Sequence, residues 1–287
     1  DDDTTQAQTT TEALEWHAPV MVRIDEHTTI PHLLKERVQR GATRPLILRK
    51  IGIGDTWHSI TAREFYDEVH ALAAGLIARG LKPGDRVAIM SRTRYEWTLL
   101  DFACWAAGLV PVPIYETSSI DQVAHVLVDA DVHLIITETV SMAEIVRAAA
   151  ERENHDNTHV LSLDSEAIDT LIADGAATPR ERVLARSEAL TKDDIATIVY
   201  TSGTTGTPKG TVLSHENFTN LCLNAHAWMP EIAAGKNSRL LLFLPLAHVF
   251  ARFLQVFQIS GNGVLGHASN IKNLLNDLAS FRPSYLL

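Results

Sequence analysis

The stretch that most constrains this chain is Tyr200-Thr201-Ser202-Gly203-Thr204-Thr205-Gly206-Thr207-Pro208-Lys209-Gly210. It follows Ile195-Ala196-Thr197-Ile198-Val199-Tyr200, a β-branched and aromatic run that reads as a buried strand of a parallel sheet. A loop leaving such a strand opens into the crevice where α/β proteins bind ligands. Gly203, Gly206 and Gly210 carry no Cβ, so backbone N–H groups can approach phosphate oxygens. Thr201, Ser202, Thr204, Thr205 and Thr207 add hydroxyls, Lys209 adds a compact positive charge, and Pro208 stiffens the turn beside it. Residues 201–207 and Lys209 are therefore the expected polyphosphate cradle. The loop is not the common P-loop, because Lys209 lies between Pro208 and Gly210 instead of between Gly and Ser or Thr. Nor does it contain a G-x-G-x-x-G dinucleotide fingerprint.

The rest of the chain alternates between the two periodicities. Strands are expected at 45–50, 86–90, 110–115, 133–137, 158–163, 195–200, 239–244, 263–267 and 284–287. Helices are expected at 61–79, 95–107, 119–129, 143–153, 215–228, 249–259 and 270–280, with Thr61-Ala62-Arg63-Glu64 as a capping box and Gly80 as a stop. This alternation predicts a parallel sheet with helices on both faces. Residues 164–193 read as a solvated surface connection with short helical candidates near Asp169 and Arg182. The expected division is a polar tail over 1–19, a first α/β unit over 20–193, and the start of a second over 194–287, left incomplete.

The loop resembles the phosphate-loop signature of the AMP-forming adenylating enzymes, the family of acyl-CoA synthetases, luciferases and peptide-synthetase adenylation domains. The resemblance continues through Thr211–Asn217 and through Phe243-Leu244-Pro245-Leu246-Ala247-His248-Val249-Phe250. Upstream it includes Leu81–Ile89 and Gly108–Tyr115, so that it covers residues 28–287. The wording around Tyr115 is most similar to bacterial long-chain fatty-acid–CoA ligases. The fold implied is two stacked αβα layered units of mostly parallel sheet, the N-terminal part of the adenylating-enzyme large domain.

The chemistry implied has two steps. A carboxylate attacks the α-phosphate of ATP and releases pyrophosphate, and the thiol of coenzyme A then displaces AMP. Lys209, the loop amides and Mg²⁺ would hold the departing phosphates, with Thr201 or Thr204 facing the metal. A neutral His248 would orient the acyl carboxylate. Phe250, Phe253 and Phe257 recur three and four residues apart on one helix; they are either a core stripe or a wall of the acyl tunnel, with Phe250 and Phe253 the candidate acyl contacts. Arg252 on the same helix faces either solvent or an anion. The family's downstream segments for adenine, ribose and the C-terminal lysine do not occur, and the chain closes within the apolar run Ser284-Tyr285-Leu286-Leu287. The expectation is an N-terminal portion of a longer ligase, inactive alone. The alternatives are a non-catalytic nucleotide- or anion-binding or dimerisation module, and an adenylating enzyme for another carboxylate.

The net charge of −10 argues against nucleic-acid binding, leaving fatty acid, ATP and coenzyme A as the expected partners. Cys104 and Cys222 form no C-x-x-C pair, and Cys104 sits in an apolar helical run. With no basic, apolar leader at Asp1-Asp2-Asp3, the expected setting is the reducing cytoplasm. The apolar stretch from Leu240 to Ala251 is about twelve residues, short of the ~20 that span a bilayer. Contact with a membrane surface and homodimer formation are the further expectations. The histidines show no zinc-ligand spacing.

Overall fold

The structure is a computed structural model that describes residues 18–52, 54–201, 206–233, 235, 237–268 and 270–287. The chain starts with α1 (Ile30–Gly41), β1 (Pro45–Lys50), β2 (Trp57–Thr61) and α2 (Ala62–Ala78). Next come β3 (Arg86–Met90), α3 (Tyr95–Ala106), β4 (Val110–Ile114), α4 (Ile120–Asp129), β5 (Leu134–Thr137), α5 (Val140–Arg152) and β6 (His159–Ser162). Helices α6 (Ala167–Asp174) and α7 (Arg180–Ala189) lead to β7 (Ile195–Thr201), β8 (Lys209–Ser214), α8 (His215–Trp228) and α9 (Pro230–Ala233). The last elements are β9 (Arg239–Leu242), α10 (Val249–Ser260), β10 (Val264–His267) and α11 (Leu274–Phe281).

Three sheets result. The first has the order β4-β3-β5-β6 and is parallel throughout. Its strands β3, β4 and β5 are almost wholly buried, as continuous apolar runs require when helices cover both faces. The second has the order β2-β1-β10-β9, parallel except for the β1–β2 hairpin. It joins strands from both sides of the expected boundary at residue 193, so that boundary does not separate two sheets. The third is the antiparallel pair β7–β8. Here the reading of residues 195–200 as a parallel-sheet strand is corrected: the phosphate loop joins the arms of a hairpin.

The reason lies in β4. Val110 donates its N–H to Asp85 on the β3 side, so Pro111 and Pro113 face the outer edge. Proline has no N–H, and this edge therefore lacks half of a ladder. Strand β7 lies alongside it and is fixed by a side chain instead: the Thr197 hydroxyl donates to the Pro111 carbonyl at 2.7 Å.

Helix α3 is buried on nearly every face and reaches both larger sheets. It packs on β3 and β4, and its Thr98 meets His267 of β10 at 2.7 Å. At its centre Asp101 is fully buried and paired with fully buried Arg252 of α10 at 2.6 Å. Gln255 also donates to Asp101, and Arg252 donates to the Thr197 hydroxyl. Trp97 and Trp105 flank the guanidinium, with ring centroids 5.6 and 5.4 Å away. Arg252 thus faces neither solvent nor a free anion, but a carboxylate inside the core.

Several expectations need correction. Residues 164–193 are not a solvated connection, since Leu171 and Val183 are fully buried. Helix α6 approaches α2 so closely that a Cβ on Gly75 would lie 1.8 Å from the Leu171 carbonyl oxygen. Residues 284–287 form a single bridge, Leu240 to Tyr285, instead of a strand. Helix α1 and strand β2 add to the elements expected from the sequence. At Thr61 the capping box is half formed: its hydroxyl accepts from the Glu64 N–H at 3.1 Å and donates to the Glu64 carboxylate at 3.0 Å. Most of the expected tail lies outside the described residues. Cys104 and Cys222 are both buried and free, with burial pushing their thiols up. Among the described residues no helix is long and apolar enough to cross a membrane.

Replacing Arg252 by Met is expected to strand the Asp101 carboxylate and cost about 3–5 kcal/mol, measured as a lower urea midpoint. Acid is expected to weaken the fold before the carboxylates titrate. Burial holds His215 at about 4, against an ordinary 6.5, and lowers His267 to about 4 as well. Both are neutral when folded, so their contribution is complete above 6.5 and is lost as pH falls towards 4, because the unfolded chain takes up protons the folded chain refuses. Urea midpoints measured across that window should fall with acidity, and His215→Asn, which keeps an acceptor for the Ile30 N–H, should flatten the slope.

Candidate functional site

The carboxyl ends of β3, β5, β9 and β10 all open on one side, and the segments leaving them build the candidate site. A cavity of about 490 Å³ lies there, lined by Arg92, Thr93, Glu116, Phe243, Pro245 and Lys272 among others. A larger cavity of about 750 Å³ adjoins Gly84, Val110 and Ile195 at the opposite, amino-terminal strand ends and touches none of the predicted site residues.

The phosphate-loop hairpin closes on the pair Thr201–Lys209, the last in its register. Both residues are exposed, as are Gly206 and Thr207. Gly206 has φ +108°, a conformation side chains rarely allow. Ser202, Gly203, Thr204 and Thr205 lie outside the described residues. The hairpin base is pinned by α4. Tyr200 donates to Asp129 at 2.6 Å, and His125 Nε2 meets the Pro208 carbonyl oxygen at 2.7 Å. Burial and then the Asp129 bond push the Tyr200 phenol up, so it remains a donor. Gly210 is needed for fit, because a Cβ there would lie 2.8 Å from Ile198 Cγ2 and 3.0 Å from Tyr200 Cζ.

His248 is exposed and caps α10. Its Nδ1 accepts from the Phe250 N–H at 3.3 Å, so Nδ1 carries the lone pair and the proton sits on Nε2, the outer edge of the ring. The structure separates the three phenylalanines. Phe250 is 45% exposed, whereas Phe253 stacks on Phe218 at 4.3 Å and Phe257 on His226 at 4.5 Å. Phe253 and Phe257 thus serve the α8–α10 contact, and Phe250 alone points away from it.

Lys209 and His248 belong to different elements, and Arg252 joins them. It stands one helical turn from His248 and binds Thr197, four residues before Thr201 in β7. A second tie comes from β3. Thr93 donates to the Leu244 carbonyl at 2.7 Å and accepts from the Leu246 N–H at 2.8 Å. The Thr93 loop is itself held by Glu138, which is 3% exposed and accepts from the Arg92 backbone at 2.9 Å and its guanidinium at 2.8 Å. Burial alone would raise the Glu138 carboxyl, but the bonds and charge of Arg92, with the charge of Arg94, hold it below the usual range. Thr93, Glu138 and the Asp101–Arg252 pair had no place in the motif reading. The last was detectable, because Arg252 is the single charge in an otherwise uncharged helix and must find a partner when buried.

Thr201 offers one exposed neutral oxygen, which suits Mg²⁺ only alongside phosphate and water oxygens. Thr204 lies outside the described residues. Elsewhere Asp131, His133 and His155 bring ligand atoms within 4.8 Å of one another. The two imidazole planes are stacked within 8° of parallel, so no ion can lie in both, and no metal is assigned to them.

Comparison with known proteins gave concordant results. Residues 34–285 match the family model described as AMP-binding enzyme. The chain is 38% identical over 275 residues to the long-chain-fatty-acid–CoA ligase FadD15 of Mycobacterium bovis, covering 95% of this chain and 45% of that protein. FadD15 of Mycobacterium tuberculosis matches equally. The chain therefore spans about half the length of the curated relatives it matches. In fold it is similar to the Mycobacterium tuberculosis fatty acyl CoA synthetase, with TM-score 0.71 at 23% identity over 88% of this chain and 48% of that one. It is also similar to the N-terminal domain of FACL13 from the same organism, with TM-score 0.71 at 23% identity over 90% of this chain and 62% of that one.

Glu138→Gln preserves shape and removes the charge that holds the Arg92 loop. It is expected to cost about 1.5–3 kcal/mol, read as a lowered urea midpoint, and to speed exchange of the Arg92 amide.

Proposed function

The chain belongs to the AMP-binding enzyme family, and on that premise we propose that it is the N-terminal part of an ATP-dependent long-chain fatty-acid–CoA ligase. The supporting observation is the buried tie from the phosphate-loop hairpin, through Thr197 and Arg252, to the helix that His248 caps. It links the hairpin that carries the proposed polyphosphate cradle to the helix capped by the histidine proposed to face the carboxylate.

In this reading a fatty-acid carboxylate oxygen attacks the α-phosphorus of ATP, the bond to the β,γ-diphosphate breaks, and an acyl-adenylate and pyrophosphate result. The coenzyme A thiol then attacks the acyl carbon and AMP leaves. Negative charge crowds around one phosphorus in the first step, so catalysis is mainly positioning and neutralisation. Residues 201–207 offer backbone and hydroxyl donors to the departing phosphates, and Lys209 supplies a fixed cation. Mg²⁺ bound with the nucleotide would supply further neutralisation, and Thr201 or Thr204 would offer it a hydroxyl. His248 donates Nε2–H to the carboxylate and so presents its attacking oxygen. Phe250 is the exposed aromatic of α10 and the one available to the acyl chain, whereas Phe253, the other candidate acyl contact, is packed on Phe218. We assign the reaction to the cytoplasm, with the fatty acid delivered at a membrane surface.

Lys209→Ala in the full-length ligase is expected to lower fatty-acid-dependent ATP–pyrophosphate exchange about 100-fold or more, with the urea midpoint unchanged. Wild-type exchange in that variant would remove the phosphate-loop assignment. The 287-residue chain alone is expected to show no exchange, and equal activity in both would show that the added length is unnecessary.

A further inference from the structure

We propose that Thr93 is a positioning residue for the carboxylate-activating site, holding the Phe243–His248 turn so that the Nε2 edge of His248 faces the substrate. The proposal rests on the role given to His248 above.

The turn between β9 and α10 has a gap in its own bonding. Pro245 has no N–H, and the backbone bond inside the turn runs from His248 N–H to the Pro245 carbonyl at 2.9 Å. The Leu244 carbonyl and the Leu246 N–H, one on each side of the proline, both turn to Thr93. An acceptor and a donor meeting at one point need an atom that gives and takes there, and a hydroxyl does both. The Thr93 hydroxyl has therefore spent its donor on the turn, which is why it is assigned to positioning and not to contact with substrate.

Thr93 is a fixed point and not a follower. Before it, Glu138 grips Arg92 through backbone and side chain. Nearby, the Trp97 indole N–H donates to the Ser91 carbonyl at 3.0 Å. Beyond the proline, Leu246 and Ala247 are buried at 0% and 2%, and the next residue, His248, emerges exposed. Placement of Leu246 thus sets where the chain surfaces and where α10 receives its cap. Without the Thr93 bonds, two buried-side backbone groups lose their partners, and the turn relaxes by taking its histidine out of line.

The test pairs Thr93→Val, which keeps shape and loses both bonds, with Thr93→Ser, which keeps the hydroxyl. In the full-length ligase, Thr93→Val should lower kcat for fatty-acid-dependent exchange about tenfold or more with KM for ATP unchanged, and Thr93→Ser should stay within about twofold of wild type. Combined with His248→Ala, Thr93→Val should add no further loss, because both act through one ring. In the 287-residue chain, the ¹⁵N spectrum of His248 should show the Nε2–H tautomer in wild type and Thr93→Ser, and a mixture in Thr93→Val, with faster exchange of the Leu246 amide. Wild-type kcat in Thr93→Val, equal loss in the serine variant, or losses that multiply with His248→Ala would overturn the proposal. If His248→Ala alone leaves exchange intact, the role of His248 falls instead. Thr93 is then judged by the tautomer and amide signals, and unchanged signals in Thr93→Val refute it.

Discussion

The buried pair Asp101–Arg252 is the constraint from which the rest of the arrangement follows. Two opposite charges with no exposure are held by hydrogen bonds in the interior, where an unpaired charge costs several kcal/mol. Burial pushes the Asp101 carboxyl up, against the pull of Arg252 and Gln255. The geometry is met only if α3, α10 and β7 all take their places together. Helix α3 belongs to the layers around the first sheet, α10 connects strands of the second, and β7 carries the phosphate loop. A single guanidinium thus sets the relation between all three sheets, and any packing that leaves one of them displaced leaves a charge without a partner.

That relation is what makes a site possible. Parallel strands send their carboxyl ends to one side, and the loops after β3, β5, β9 and β10 meet there. The loop after β5 contributes Glu138, which fixes the loop after β3, which in turn fixes the loop after β9. The exposed groups, Lys209 and His248, thus stand on a scaffold whose deepest bonds, those joining Asp101, Arg252 and Thr197, are buried. Exposed tips on a hydrogen-bonded base are consistent with the proposed function, in which a charged nucleotide is held in line with a second reactant.

Much of this was legible in the sequence. Strands β1 and β3 and helix α8 fall at their expected residues, because continuous apolar runs and a Ser214–Asn217 capping box are local signals. Pairing was less legible. The run Ile195–Tyr200 looks like any central strand, and only the prolines of β4, far away in sequence, deny it a ladder. Residues 164–193 look solvated by composition, yet Gly75 and Gly175 let α6 press against α2, a contact that periodicity does not report. The residues proposed for the phosphate cradle stand out in the sequence by type. Thr93 and Glu138 did not, since a threonine and a glutamate are common, and what distinguishes them is the backbone they meet. The phenylalanine stripe carried two readings that only packing separates, and it places Phe253 and Phe257 against α8.

The outer edge of β4 has one more consequence. Pro111 and Pro113 leave it with carbonyls but without N–H groups, so a strand from a neighbouring molecule finds no complementary partner along it. Strand β7, which lies along this edge, comes some eighty residues later in the chain. An edge with its donors intact would offer a ladder to a strand of another molecule, whereas this one lacks them at Pro111 and Pro113 and gives its Pro111 carbonyl to the Thr197 hydroxyl.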